Sequence, residues 1–222
     1  MWRGIVVAMS DVVFADRREA GARLGALLTE RGLGGSATIV AGIPRGGIVV
    51  AAEVARELAS PLRAIVALKL GAPGQPELAI GALGPDGSAL LDETLVARLG
   101  VSEAWLERAV AAERAELESR MRQFPGVATA NEVAGRTVIV VDDGVATGAT
   151  AAAVGTWLEH ARAARRVLAL PVGPPSTLVR LESAYDDVIT LAQPSHFVAV
   201  GQWYRDFDQT SDAEVVELLS GG

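Results

Sequence analysis

One thirteen-residue segment, Val138-Ile139-Val140-Val141-Asp142-Asp143-Gly144-Val145-Ala146-Thr147-Gly148-Ala149-Thr150, limits the fold of this chain more than any other. Four β-branched residues in a row fit a strand covered on both faces, as in the centre of a parallel sheet. The small residues after them let the backbone bend sharply into a helix whose first amides stay free. Such amides carry partial positive charge, so the turn is a cradle for a phosphate, with the hydroxyls of Thr147 and Thr150 as further donors and no lysine required. Asp142 and Asp143, at the carboxyl end of the strand, suit vicinal hydroxyls or a hydrated Mg²⁺. The pattern describes a site for a phosphorylated sugar; a plain strand, turn and helix cap is the structural alternative. Two other nucleotide patterns are excluded, because Gly148 is followed by Ala149 rather than the Lys of a P-loop, and no G-x-G-x-x-G follows the strand.

Composition narrows the remaining classes. The 222 residues are half apolar, enough for a well-buried core, and carry a formal charge of −7, which argues against a broad basic face for nucleic acid. There are no cysteines, so disulfides, thiol catalysis and Cys-ligated zinc are excluded, and His160 and His196 alone cannot build a histidine metal cage. Residues 5–9 are too short an apolar run for a signal peptide or a membrane span, so a cytoplasmic protein with no membrane partner is expected. Of the 20 basic residues only Lys69 is a lysine. A compact ammonium kept against that bias points to a place where a planar guanidinium would not serve.

The segment 138–150 closely resembles the phosphoribosyl pyrophosphate (PRPP) signature of the type I phosphoribosyltransferases. The resemblance implies that Asp142 and Asp143 contact the ribose hydroxyls and help hold Mg²⁺, and that Gly144, Val145 and the loop from Ala146 through Thr147, Gly148 and Ala149 to Thr150 surround the 5′-phosphate. The segment 41–70 is similar to the pyrophosphate-binding region of adenine-type enzymes, with Pro44-Arg45-Gly46-Gly47 as the turn and Lys69 as the basic residue at a strand end. By that likeness Arg45, Gly46, Gly47 and Lys69 would grip the pyrophosphate. Fixed cations aimed at a leaving group that gains charge favour its departure.

Along the chain, residues 16–31 form an amphipathic helix with Ala20, Leu24, Leu27 and Leu28 on one face. A strand at 37–41, a helix at 48–58 and a single strand at 62–70 make one βαβ unit. Residues 71–87, rich in glycine and proline, are expected to be a mobile lid around a short ribbon at 78–83, with Glu77 inside it as a proton acceptor or donor, or simply a solvated carboxylate. Helices at 92–99 and 102–122 come next, the second with Trp105, Val110 and Leu117 inward. After the signature come a helix at 149–162, a strand at 167–170, a helix at 177–184, a strand at 188–191 and a final helix from about 212. This alternation predicts one α/β domain, a doubly wound and mostly parallel sheet at 16–192, with a flexible loop and a small C-terminal hood over 193–222. Phe197, Trp203 and Tyr204 in that hood are candidates for stacking on an acceptor ring, or for core packing.

The expected reaction moves the phosphoribosyl group from Mg²⁺-bound PRPP to a nitrogen acceptor such as a nucleobase, releasing pyrophosphate. Hypoxanthine and guanine enzymes of the family carry an Asp where this chain has Ala146, and a lysine where it has Leu170-Pro171-Val172. The signature is therefore nearer the adenine type, without naming the acceptor. A PRPP-binding regulator without turnover is the alternative of another class, and a metal-dependent phosphatase leaves Arg45 and Lys69 unexplained. The family often dimerises, which the sequence neither requires nor forbids.

Overall fold

A computed structural model describes residues 13–221, so the apolar run at 5–9 lies outside the described residues. A five-stranded parallel sheet forms the centre, in the order β2 (Leu62–Ala64), β1 (Thr38–Gly42), β6 (Thr137–Val141), β7 (Arg165–Val172), β8 (Asp187–Ala192). The β-branched run in β6 does what its composition requires. Ile139 and Val141 join a core with α1 (Arg17–Glu30), α2 (Gly46–Glu57) and α8 (Asp212–Ser220), while Val138 and Val140 join one with α6 (Ala149–His160) and α7 (Pro175–Leu181). All four are fully buried, so alternate side chains feed opposite faces of one covered sheet.

The predicted face of α1 is the buried one, with Ala20, Leu24 and Leu28 at 0% exposure and Leu27 partly covered. Asp16 caps this helix by accepting from the Glu19 amide at 2.8 Å, which fixes where the first turn, and hence Arg17, begins.

The expected strand at 62–70 divides. β2 pairs with β1 in the parallel sheet, but β3 (Leu68–Ala72) leaves it to pair antiparallel with β4 (Gln75–Leu83). The unbroken apolar stretch 64–68 carries no periodic mark where the pairing partner changes, and the new partner lies downstream. Lys69 thus faces Ala82 across a hairpin instead of ending a central strand. The ribbon expected at 78–83 is present and longer, as β4, and the loop expected around it is largely strand as well: β3, β4 and β5 (Ala89–Leu91) form a second sheet, and residues 79–83 are buried within it. The apolar cluster there, Leu70, Ile80 and Leu83 against Val96, outweighs the glycine and proline content. Helices α3 (Glu93–Arg98) and α4 (Glu103–Gln123) cover this sheet. Trp105 and Val110 pack on the hairpin, whereas Leu117 reaches the main core. A short helix α5 (Ala130–Val133), not anticipated from sequence, opens with a capping box between Thr129 and Glu132.

The C-terminal strap, with a 3-10 turn at Val200–Trp203, is tied to the segment that leads into α1. The Phe14 amide donates to Trp203 at 2.8 Å, and the amides of Arg205 and Asp206 donate back to Phe14 and Ala15 at 2.8 and 2.9 Å. Phe14, Trp203 and Tyr204 form a small core with Val172 and Ala192.

Candidate functional site

Two loops far apart in sequence meet because their strands are neighbours. β1 and β6 run parallel with Gly42 opposite Val141, so the loops leaving their carboxyl ends emerge at one sheet edge. After β1 comes Ile43-Pro44-Arg45, with a cis peptide bond between Pro44 and Arg45, and then the start of α2. After β6 come Asp142 and Asp143. The fit at Gly46 is close: a Cβ there would collide with the Asp143 carboxylate and lie 2.7 Å from the Arg17 Nε, so one or both of those side chains would have to move. The sequence-predicted carboxylates and the Gly46-Gly47 turn therefore lie side by side.

The Asp142 Oδ1 accepts from the Asp143 amide at 2.9 Å, and the Asp143 Oδ2 accepts from the Arg17 Nε at 2.8 Å. The Arg17 and Asp143 side chains are only 12% and 15% exposed, so this pair is shielded from bulk water. Burial, with the neighbouring charge of Asp143, holds the Asp142 carboxyl well above the usual carboxylate range. Burial also raises Asp143, and the hydrogen bond and charge of Arg17 oppose that shift.

The loop after the carboxylates has its main-chain groups divided by direction. The carbonyls of Ala146 and Thr147 accept from the Thr177 hydroxyl at 2.8 Å and from Arg180 at 3.2 Å, both on α7. The Val145 amide donates to Val172 at 3.1 Å. The amides from 146 to 150 find no acceptor among the described residues, and α6 has no side-chain cap. Gly148 makes the turn at φ 74°, a left-handed conformation natural to glycine. The result is a set of free donors at the start of a twelve-residue helix, held by carbonyl contacts on the other side. A cavity of about 290 Å³ opens beside it, between Thr147, Gly148, Ala149 and Arg180 and the hairpin residues Ala79 and Leu90.

The other predicted residues lie further out. Arg45, half-exposed, stands 3.6 Å from Asp212 at the start of α8. Lys69 and Glu77 pair with each other across the hairpin at 3.0 Å, with the Glu77 side chain 94% exposed, and neither bonds to the 142–150 loop. Trp203 and Tyr204 are buried, while Phe197 is half-buried and stacks on Trp203 with ring centroids 6.5 Å apart. Sequence reasoning missed Arg17, Thr177, Arg180 and Phe207. Arg17 reads as an ordinary charge in the first turn of a helix; only the strap that folds over it gives it a place.

Among the described residues no group of three or more His, Cys, Asp or Glu converges as a metal cage. Two adjacent, partly buried carboxylates still fit Mg²⁺, which commonly takes one or two carboxylates and completes its shell with substrate phosphates and water.

A family model described as a phosphoribosyl transferase domain matches residues 18–208, beginning one residue after Arg17. Two curated Mycobacterium tuberculosis proteins, from strains H37Rv and CDC 1551 and each named "putative phosphoribosyl transferase", are 42% identical over 207 residues. The match covers 93% of this chain and 46% of theirs, so the chain spans about half the length of the curated relatives it matches. The crystal structure of TT1426 from Thermus thermophilus is similar at 40% identity and a TM-score of 0.76, over 93% of this chain and 97% of that one.

Proposed function

The chain belongs to the phosphoribosyl transferase domain family, and from that premise we propose that it transfers the 5-phosphoribosyl group of PRPP to a nitrogen acceptor such as a nucleobase, releasing pyrophosphate. The observation that carries this reading is the meeting of three elements at one sheet edge: the carboxylates of Asp142 and Asp143, the amides of 146–150, and the Gly46-Gly47 helix entry.

In this reading the 5′-phosphate sits on the amides and hydroxyls between Ala146 and Thr150. The ribose hydroxyls donate to Asp142 and Asp143. The pyrophosphate lies along the start of α2, against Gly46, Gly47 and Arg45, with Lys69 brought to it from the hairpin. Bound Mg²⁺, held by the same two carboxylates, would neutralise charge on the phosphates. The chain's own part is to fix the sugar between two anion sites, so that the bond to pyrophosphate breaks against preorganised donors. The acceptor enters from the hood. Phe197 keeps a partly open face there, whereas Trp203 and Tyr204 support it from the core; Glu77 is the candidate for proton exchange. No described helix is long and apolar enough to cross a membrane, and a reaction of charged metabolites is assigned to the cytoplasm.

The test is pyrophosphate release from Mg²⁺ and PRPP over a panel of purines, pyrimidines and pyridine carboxylates, with Asp142→Asn/Asp143→Asn as control. Release with one acceptor, lost in the control, supports transfer and identifies the acceptor class. PRPP binding without release from any acceptor would instead mark a sensor.

A further inference from the structure

Arg17, the first residue of α1, is held in three directions. Its Nε donates to the Asp143 Oδ2 at 2.8 Å, its Nη1 donates to the Asp208 carbonyl at 2.8 Å, and its Cζ lies 3.8 Å from the centre of the Phe207 ring. Edge, tip and face of the guanidinium are therefore all engaged, two of them by the strap. That strap is itself anchored beside Arg17, through the Asp206 amide to Ala15 at 2.9 Å and the tilted packing of Phe207 against Tyr204, with ring centroids 5.0 Å apart. This is a built pocket for one guanidinium, not a surface charge finding a neighbour.

The place it occupies bears on the sugar. A carboxylate oxygen committed to a charge-assisted hydrogen bond is a poor acceptor for a sugar hydroxyl approaching from the same side. The same guanidinium lies against Gly46, at the entry to α2, where the proposed reading puts the pyrophosphate. Arg17 thus stands between the two halves of the site.

Resting on that reading, we propose that Arg17 is an exchangeable guard: its guanidinium holds Asp143 while the site is free of sugar and moves onto the pyrophosphate when PRPP enters. The exchange trades one anion for another and leaves the cation paired throughout. Ribose 5-phosphate has the same hydroxyls and phosphate but brings no pyrophosphate, so it must separate Arg17 from Asp143 without offering a replacement. The guard would therefore set the preference of the site for PRPP over ribose 5-phosphate, and keep Asp143 paired between turnovers.

The experiment measures calorimetric dissociation constants of both ligands, with Mg²⁺, for the unaltered chain, Arg17→Gln and Phe207→Leu. The readout is the ratio of the ribose 5-phosphate constant to the PRPP constant. In Arg17→Gln we expect PRPP to bind about tenfold more weakly, the loss of one charge-assisted contact, and ribose 5-phosphate to bind more tightly, so the ratio falls more than tenfold. Phe207→Leu keeps the guanidinium but removes its platform, so the ratio falls there too, through tighter ribose 5-phosphate. Should Arg17→Gln fail to fold by circular dichroism, Phe207→Leu decides alone. Both ligands weakening by one factor, with the ratio constant, overturns the guard and leaves Arg17 a purely structural ion pair. An unaltered chain that binds no PRPP overturns the sugar-phosphate reading, and the guard with it.

Discussion

The Tyr204 hydroxyl donates to the main-chain carbonyl of Asp143 at 2.5 Å, across 61 residues of sequence. Burial pushes this phenol far above its ordinary range, so it remains a donor at any working pH. The bond ties the strap to the acidic pair at its backbone, while Arg17 ties it at the side chain. Tyr204→Phe removes the donor and leaves a partly buried carbonyl unsatisfied, at a cost of about 1–3 kcal/mol. We expect a lower urea midpoint together with several-fold weaker PRPP binding. Weaker stability with untouched binding would separate the strap from the site.

Asp142 gives a pH dependence with a definite sign. Its folded carboxyl holds a proton more tightly than the unfolded one, because of burial and then Asp143. The penalty on the folded state is absent below the ordinary carboxylate range, grows as pH rises through the raised value, and is complete above it. Asp142→Asn should therefore be more stable than the unaltered chain at neutral pH, and the difference should vanish on acidification, as followed by urea unfolding at stepped pH. PRPP affinity of the unaltered chain should fall over the same acidic window, because a protonated Asp142 is a weaker acceptor.

Gly148 tests the phosphate loop. At φ 74° an alanine is strained, and its Cβ would lie 2.9 Å from the Thr177 Cγ2. Gly148→Ala should cost about 1–3 kcal/mol and disturb the turn that presents the free amides. Ribose 5-phosphate and PRPP should lose affinity together, since both carry the 5′-phosphate; calorimetry with both ligands reads this directly.

Lys69 separates chemistry from stability. Its pair with Glu77 is exposed, so Lys69→Ala should shift stability by less than about 1 kcal/mol. Pyrophosphate release should nevertheless slow at least about tenfold, the loss of one fixed cation at the leaving group. A full rate in this variant would remove Lys69 from the site.

Much of the fold was legible locally. The four β-branched residues of β6, the apolar face of α1 and the small-residue turn at 144–148 each had one good solution, because burial on two faces, a helical period and a sharp turn leave marks within a few residues. The hairpin did not. Residues 62–72 carry the unbroken apolar stretch 64–68 at their centre, and where they divide depends on which strand, β1 or β4, each half pairs with; around the ribbon at 78–83, glycine and proline mark a loop only when they are counted without their neighbours. The hood aromatics stood open between stacking on a ligand and packing; burial of Trp203 and Tyr204 comes from Phe14 and Val172, which no local pattern connects to them.

The sequence by itself determined the strand, the acidic pair and the amide cradle, since backbone propensity and hydrogen-bonding capacity are short-range properties. Only the tertiary structure decided that the Gly46 turn closes on Asp143, that Lys69 rides on a hairpin, and that Arg17 holds the site's carboxylate. Strand adjacency and the path of the strap set these contacts, and both are products of long-range pairing that no residue carries alone.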